Sequence, residues 1–276
     1  MATAALILVT AVWGLTFVQV KDAVELYPLF AFLAVRFAIA SLALAPPAAR
    51  RLGSLGREGV TVGVFLGGLL AFAFALQTAG LERTTVTSAG FLTGLYVLLT
   101  PLLAVGLLRT RLPRELWLAV AVAVAGLVLL STVAMALQIV VLERYAARFD
   151  AFALTLVEML TMFVAFTAIA LVLGDLSVPR GSTVWAALLV TGLFASAFAF
   201  LVQVWAQRAV SATRIAVVFS LETVFAGFFG VVLDGDRLGA LGWTGCALIF
   251  AGIVLAEPAA AATLRRLVPR GIRSPA

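Results

Sequence analysis

A few charged residues stand inside long apolar stretches of the sequence, where a charge is costly, and three of them are considered as candidates. An ionisable side chain in such a segment is a functional candidate by default. Glu222 lies about ten residues into its segment, and we interpret it as a proton-coupling carboxylate, as a partner for a substrate ammonium, or as a hydrogen-bond acceptor between helices. Glu158 lies nearer the start of its segment, which favours a structural role beside a polar neighbour. Arg36 is expected mainly to bond another helix, and contact with a substrate carboxylate is the less favoured alternative.

Uncharged polar and aromatic side chains complete the candidate set for binding a small-molecule substrate. Gln77 and Gln203 occupy equivalent positions in two similar stretches, so they could line one shared site or bond neighbouring helices at about 1 kcal/mol. Tryptophan and tyrosine combine an apolar face with a polar tip, which suits planar or apolar solutes. Trp205 could equally anchor its helix at the membrane interface. The predicted substrate-binding residues are Trp13, Thr16, Gln77, Tyr96, Gln138, Gln203, Trp205 and Glu222.

The composition argues against the common enzyme chemistries. The chain has no histidine and one cysteine, Cys246, so neither a histidine-ligated metal nor an intrachain disulfide is available. It also lacks a glycine-rich phosphate loop with a lysine, so we expect no step driven by ATP. We therefore predict that the chain is not an enzyme and has no catalytic residue, no bound metal and no cofactor. A membrane-embedded enzyme or an assembly scaffold is kept as an alternative class of function.

The elements that position these residues must be membrane-spanning helices. Apolar residues make up 64% of the 276 residues and charged residues 12%, with a mean hydropathy of +1.18, whereas a soluble domain carries about 25% charged residues. Backbone in contact with lipid must satisfy its own hydrogen bonds, which favours helices. We predict the lipid bilayer, a small molecule and optionally protons as partners, no nucleic acid, and a monomer. The ten apolar segments fall near residues 2–20, 28–46, 59–80, 86–108, 116–131, 132–147, 152–174, 184–207, 212–233 and 238–261.

Arginine placement predicts the orientation of these segments. With the N-terminus inside, 14 of the 19 basic residues fall on the cytoplasmic side, as the positive-inside rule requires. We therefore predict a multi-pass protein of a bacterial inner membrane with both termini in the cytoplasm. The 14 residues are Arg50, Arg51, Arg57, Arg109, Arg111, Arg114, Arg144, Arg148, Arg208, Arg214, Arg265, Arg266, Arg270 and Arg273.

One apolar run has the wrong length. Residues 116–141 form 26 consecutive positions without a turn, which is long for one span and short for two. Read as a single helix, the run would leave nine spans and place the arginine-rich tail outside. We therefore hypothesise that this chain lacks a connecting segment near Ser131–Thr132.

The two halves of the sequence are similar to each other. Residues 71–129 align without gaps onto residues 197–255, at an offset of 126. An odd number of spans in each half inverts the second half in the membrane, a design common in secondary transporters. The sequence thus predicts an all-α membrane protein of ten transmembrane helices, arranged as two inverted five-helix repeats, 1–131 and 132–276, around a central cavity. The informative matches are Gln77 with Gln203, Arg111 with Arg237 and Trp117 with Trp243.

Several motifs, in order along the chain, resemble the EamA-type transporters of the drug/metabolite transporter superfamily. Position 223, usually proline in that family, is Thr223 here, and the family's Gly-Asp stretch before the sixth span is absent. Small residues such as Gly67, Gly68 and Gly90 are predicted to allow close helix packing. The residues that carry the resemblance are 11–17 (AVWGLTF), Arg36, 89–96 (AGFLTGLY), 101–104 (PLLA), 220–226 (SLETVFA), Gly245 and Gly252.

The resemblance implies ten helices around a central cavity and the export of small metabolites, amino acids among them, by alternating access. The aromatic residues favour aromatic or apolar amino acids. Drugs or nucleotide sugars are the alternative substrates within the superfamily, although a large anion would need more cationic side chains in the cavity than Arg36 alone.

Overall fold

The computed structural model describes residues 2–94, 100 and 130–256, and every regular element within them is a helix. A 3-10 turn at Leu52–Leu55 precedes α3, and a π-helix at Thr191–Phe198 joins α7 to α8 in one continuous span. The α-helices are α1 (Ala2–Leu26), α2 (Leu29–Ala48), α3 (Gly56–Leu81), α4 (Val86–Thr93), α5 (Leu130–Tyr145), α6 (Ala151–Leu173), α7 (Ser182–Val190), α8 (Ala199–Gln207), α9 (Ala212–Phe219), α10 (Leu221–Leu233) and α11 (Ala240–Ala256).

The helices carry apolar side chains on their outer faces as well as inside. Phe72, Val164 and Val172 are 50%, 62% and 87% exposed, as expected for side chains that face lipid rather than water. Within the described residues, six helical segments are long and apolar enough to cross a membrane. The prediction of an all-α, multi-pass membrane protein is confirmed at this level. Most of the fourth predicted span and nearly all of the fifth lie outside the described residues, so the count of ten stays a prediction.

The two halves of the chain interlock. Helix α2 packs along α6, while α3 packs against both α5 and α6. Reciprocally, the α7–π–α8 span packs against α1 and α2, and α4 packs against α10. Each of these contacts made by one half thus has a counterpart made by the other, as expected for halves related by a twofold axis.

Local signals set the helix boundaries around α6 and within the ninth span. Asp150 caps α6 by accepting a hydrogen bond from Ala153 N at 3.1 Å, and Gly174 ends the helix in the left-handed conformation at φ 73°, which glycine adopts without steric cost. The ninth span is interrupted at Ser220, between α9 and α10. This interruption forms although residue 223 is threonine, and Thr223 Oγ1 donates to Gly90 O at 3.1 Å. A proline is therefore not required for the break.

Charged residues pair at two opposite ends of the bundle. At one end Lys21 contacts Asp234 at 2.9 Å. At the other end Arg148 contacts Glu58 at 2.8 Å, and Arg51 contacts Asp150 at 3.4 Å. The sets assigned to different sides of the membrane are thus kept apart, and which end faces the cytoplasm stays a prediction. We call the ends the Lys21 end and the Arg148 end.

The proposed missing connection stays a hypothesis. Ser131 and Thr132 lie in the first turn of α5, and residues 101–129 before it lie outside the described part of the chain.

Candidate functional site

A cavity lies between α1, α2, α3, α5 and α10. It holds about 440 Å³ of space not filled by atoms, its open mouth included. It extends from mid-helix residues to Val20 and Leu81, near the C-terminal ends of α1 and α3, and so lies towards the Lys21 end. The lining residues are Trp13, Thr16, Phe17, Val20, Arg36, Phe74, Gln77, Thr78, Leu81, Met135 and Glu222.

Arg36 supplies positive charge to this cavity. Its side chain is buried, with 4% exposure, and its Nε donates to Ser196 Oγ at 2.9 Å. The guanidinium carbon lies 5.3 Å and 4.9 Å from the ring centres of Phe37 and Phe74, close enough for cation–π attraction. No carboxylate within the described residues lies at ion-pair distance from Arg36. The expected bond to another helix is present, with Ser196, and Arg36 also lines the cavity. Contact with a substrate carboxylate stays a prediction.

Glu222 brings a carboxyl group to the same cavity. It is 4% exposed and lies in the first turn of α10, directly after the break at Ser220. Because α10 begins directly after Ser220, Glu222 lies in the first turn of that helix, where it lines the cavity. The cavity therefore presents a guanidinium on α2 and a carboxyl group on α10, which could bind opposite charges of one small molecule.

Trp13 lies on the inner wall of the cavity within a cluster of aromatic rings. Its indole Nε1 donates to Ala195 O at 2.7 Å. Its ring centre lies 5.6 Å from that of Phe200 and 4.8 Å from that of Phe219, and Phe74 lies 6.1 Å from Phe200. These separations suit edge-to-face and tilted aromatic packing. We call these four side chains the aromatic layer.

The π-helix of the eighth span accepts hydrogen bonds from two residues of the cavity wall. A π-helix leaves backbone carbonyls out of the α pattern and often occurs at functional positions. Here its Ala195 carbonyl accepts from Trp13 and its Ser196 hydroxyl accepts from Arg36. Close contact with α2 also requires a small residue, because a Cβ on Gly192 would lie 3.0 Å from Arg36 O. We know of no sequence signal that would have predicted this π-helix.

Two further predicted residues line the cavity through their own hydrogen bonds. Gln77 Nε2 donates to Thr93 Oγ1 on α4 at 3.0 Å. Thr16 Oγ1 donates to Trp13 O at 2.8 Å, within its own helix. Thr16, Gln77, Trp13 and Glu222 thus meet at one cavity, and their role in substrate binding stays a prediction.

Gln138 and Gln203 lie outside the cavity, in a separate buried cluster with Gln207. Gln203 Nε2 donates to Gln138 Oε1 at 3.0 Å and to Gln207 Oε1 at 3.1 Å. Gln207 Nε2 in turn donates to Ile139 O at 2.7 Å. We call these three residues the glutamine cluster. They are 1%, 1% and 3% exposed, in chain order.

Gln77 and Gln203 therefore do not line one shared site, and their positions along the helices explain why. Each is the 22nd residue of a 26-residue span, Gly56–Leu81 or Ser182–Gln207, which places it about 13 Å beyond the midpoint at 1.5 Å per residue. Val204, next to Gln203, packs with Leu55 and Val62 at the start of α3. The two spans thus run antiparallel, and the two glutamines lie on opposite sides of the midplane.

The two remaining predicted residues are Trp205 and Tyr96. Trp205 is 45% exposed on the outer surface of α8, away from the cavity, which is the position of an interface anchor. Tyr96 lies outside the described residues. Sequence reasoning left Phe74 and Met135 out of the site, because apolar residues give no signal against a uniformly apolar background. It also omitted Gln207, although a glutamine four residues after Gln203 occupies the same helix face.

Comparisons with known proteins agree with this architecture. Residues 1–132 and 127–256 each match the EamA-like transporter family. An uncharacterized transporter of Archaeoglobus fulgidus is 29% identical over 267 residues, covering 91% of this chain and 83% of that protein. A solved crystal structure has the same fold, with a TM-score of 0.73 and 19% identity over 97% of this chain and 99% of that one. The predicted resemblance is confirmed, and the chain belongs to the EamA-like transporter family.

Proposed function

We propose that this membrane transporter moves zwitterionic amino acids with apolar or aromatic side chains by alternating access, as an exporter in a bacterial inner membrane. The observation that carries the proposal is the cavity that holds both Arg36 and Glu222. A free amino acid has one carboxylate and one ammonium, and this cavity offers one group of each complementary sign.

Arg36 is the proposed partner of the substrate carboxylate. Since Nε is used by Ser196, the terminal amino groups of the guanidinium remain to form a charge-assisted pair with a carboxylate. Burial and the rings of Phe37 and Phe74 hold the cation in place, so little side-chain entropy is lost on binding.

Glu222 is the proposed partner of the substrate ammonium, and the aromatic layer is the proposed contact surface for the substrate side chain. Trp13 and Phe74 belong both to the aromatic layer and to the cavity wall. Among the described lining residues Arg36 is the only cation, which disfavours a large polyanion such as a nucleotide sugar.

The shape of the molecule supports alternating access. The cavity lies towards the Lys21 end. At the Arg148 end, the described residues Leu55, Val62, Leu142 and Phe149 belong to a second apolar core, and a separate groove lies between α3 and α5. A central cavity that extends towards one end of the bundle is expected of one of the two conformations that an inverted repeat allows.

The test uses purified full-length chain reconstituted in lipid vesicles. L-Phenylalanine should bind and be transported, while phenethylamine, which lacks the carboxylate, and 3-phenylpropionate, which lacks the ammonium, should bind at least tenfold more weakly. Failure of L-phenylalanine, L-leucine and L-tryptophan to bind or move, with or without a pH gradient, would refute the proposal and favour a non-transporting scaffold or enzyme.

Two variants with matched controls assign the groups. Arg36→Gln should weaken L-phenylalanine binding by about 10- to 150-fold, since a hydrogen bond to a charged group contributes about 1.5–3 kcal/mol. It should leave phenethylamine binding nearly unchanged. Glu222→Gln should weaken the binding of L-phenylalanine and phenethylamine and leave the binding of 3-phenylpropionate nearly unchanged. Arg57→Gln and Glu58→Gln, at exposed positions, should bind like the parent chain. Equal losses for all three ligands in both variants would contradict the assignment.

A further inference from the structure

A second buried acid lies outside the cavity. Glu158 is 0% exposed and lies eight residues after the Asp150 cap of α6, about 12 Å into the span at 1.5 Å per residue. It does not line the cavity, and nothing in the proposed binding of substrate uses it.

No cation in the described residues lies within ion-pair distance of Glu158. Helix α6 packs against α2, α3, α8, the π-helix and the 3-10 turn, and its Glu158 meets Gln138 of α5. The charged groups on and next to these elements are engaged elsewhere or exposed. Arg36 bonds Ser196, Arg51 pairs with Asp150, Glu58 pairs with Arg148, Glu143 accepts from Ala212 N, and Arg57, Arg144 and Arg208 are exposed.

The polar neighbour of Glu158 is Gln138, a member of the glutamine cluster. Gln138 Oε1 already accepts from Gln203, so its free end is the Nε2 amide, a donor, and that side chain interacts with the Glu158 carboxyl group. The contact is looser than a full hydrogen bond, because Gln138 Nε2 and both Glu158 oxygens have no partner at hydrogen-bond geometry.

The helix around Glu158 is closely packed. A Cβ on Gly67 of α3 would lie 2.7 Å from the backbone carbonyl oxygen of Glu158, and Met159 and Met162 of the same helix are fully buried. An ionised carboxylate in this place would be an unpaired charge inside a membrane protein, which costs several kcal/mol. A protonated carboxyl group is neutral and can still accept from Gln138.

We propose that Glu158 is a proton-binding site that is occupied in this conformation and releases its proton to water when the glutamine cluster opens. In the packed arrangement the acid is neutral beside Gln138. Once water reaches the cluster from the Arg148 end, the ionised form becomes solvated and the proton passes to that water. Protonation therefore favours the closed Arg148 end, because a ligand shifts a conformational equilibrium towards the state that binds it better.

Proton occupancy can be tested without a transported solute. Infrared spectra of the full chain in lipid should show the carbonyl stretch of a protonated carboxylic acid at neutral pH, and Glu158→Gln should lose it. Glu58→Gln, the same change at an exposed and ion-paired acid, should keep it. Absence of a band that depends on Glu158 would overturn the proposal. If Glu158→Gln does not fold, Glu158→Asp should shift the frequency of this band. An unchanged spectrum in that variant would also overturn the proposal.

Coupling to the opening of the cluster is tested by hydrogen exchange. Glu158→Gln is neutral at every pH, so at alkaline pH its amides in residues 130–145 and 199–207 should exchange more slowly than those of the parent chain at the same pH. Equal exchange at all pH values would overturn the coupling.

The link to transport rests on the proposed function, and its failure is distinguishable from failure of the site. In Glu158→Gln vesicles, L-phenylalanine should bind normally, but its flux should be equal with and without a pH gradient. Flux that keeps its response to the gradient would overturn the coupling role, whereas absence of flux in the parent chain as well would count only against the proposed function.

Discussion

One methyl group should decide whether α4 can pack against α10. Gly90 on α4 faces Ala226 on α10 so closely that an added Cβ would overlap the Ala226 Cβ, while the next atom lies 3.8 Å away. Overpacking of this kind costs about 1–3 kcal/mol. Alanine returns up to about 1 kcal/mol of that cost through its helix propensity. Because the added Cβ would overlap the Ala226 Cβ strongly, we expect an overpacking cost in the upper half of that range. After the gain from helix propensity, Gly90→Ala should lower the free energy of unfolding by about 1–2 kcal/mol.

The same contact predicts a rescue. Because Ala226 Cβ is the only atom of the described residues that the added Cβ would overlap, Ala226→Gly should remove the clash and restore most of the stability in the double variant. The coupling free energy of the cycle should be about 1–3 kcal/mol. Gly68→Ala is the matched control: nothing lies within 4 Å of its added Cβ, so it should be neutral or slightly stabilising.

The assay is equilibrium unfolding of purified chain in mixed detergent micelles, followed by circular dichroism. A Gly90→Ala variant as stable as the parent chain would refute the close packing of α4 and α10. A double variant no better than Gly90→Ala alone would show that the cost arises from something other than the Ala226 contact.

Three further substitutions test individual buried or half-buried polar side chains. Trp13→Phe removes the 2.7 Å bond to Ala195 O and should lower the unfolding free energy by about 0.5–1.5 kcal/mol, the net contribution of one hydrogen bond. An unchanged unfolding free energy would argue against a stabilising role for this bond. Gln203→Met, similar in size but unable to donate, should destabilise more than Gln203→Asn, measured by thermal unfolding, and the reverse order would contradict the bonding of the glutamine cluster. Burial raises the pKa of Tyr27, so folding favours the protonated form. The contribution of this group to the free energy of unfolding is complete below about pH 10 and is lost as the pH rises through the higher pKa of the folded state. Tyr27→Phe, which also removes the 2.5 Å bond to Ser177 O, should reduce that alkaline loss, and an unchanged alkaline transition would argue against it.

The helical membrane fold could be predicted from the sequence because its main cause is local. A run of about 20 apolar residues has few alternatives to a spanning helix, and the internal similarity at an offset of 126 residues is visible without coordinates. The break at Ser220 was less visible. It arises where Thr223 bonds Gly90 on another helix, and such a contact between distant residues cannot be read from either segment alone.

The candidate site could be predicted only in part, since polar residues in apolar segments are easy to find but hard to place. Trp13, Thr16, Gln77 and Glu222 do meet at one cavity. Gln203 and Trp205 lie elsewhere, because helical rotation and membrane depth decide what a side chain faces. The role of Arg36 could not be assigned from the sequence, because it depends on the packing of the π-helix against α2. That packing bonds Arg36 to Ser196 at the cavity, and no carboxylate of the described residues lies at ion-pair distance from it.

The π-helix at Thr191–Phe198 has wider turns than an α-helix, so rewinding it into α-helix would rotate the rest of the eighth span about its axis. Each residue of register gained or lost turns the helix beyond it by about 100° at 3.6 residues per turn. If this stretch tightened into ordinary α-helix, Gln203 and Gln207 would swing away from Gln138, while Arg36 and Trp13 would lose their contacts with Ser196 and Ala195. One local rewinding would thus loosen the packed end and release two residues of the cavity wall together.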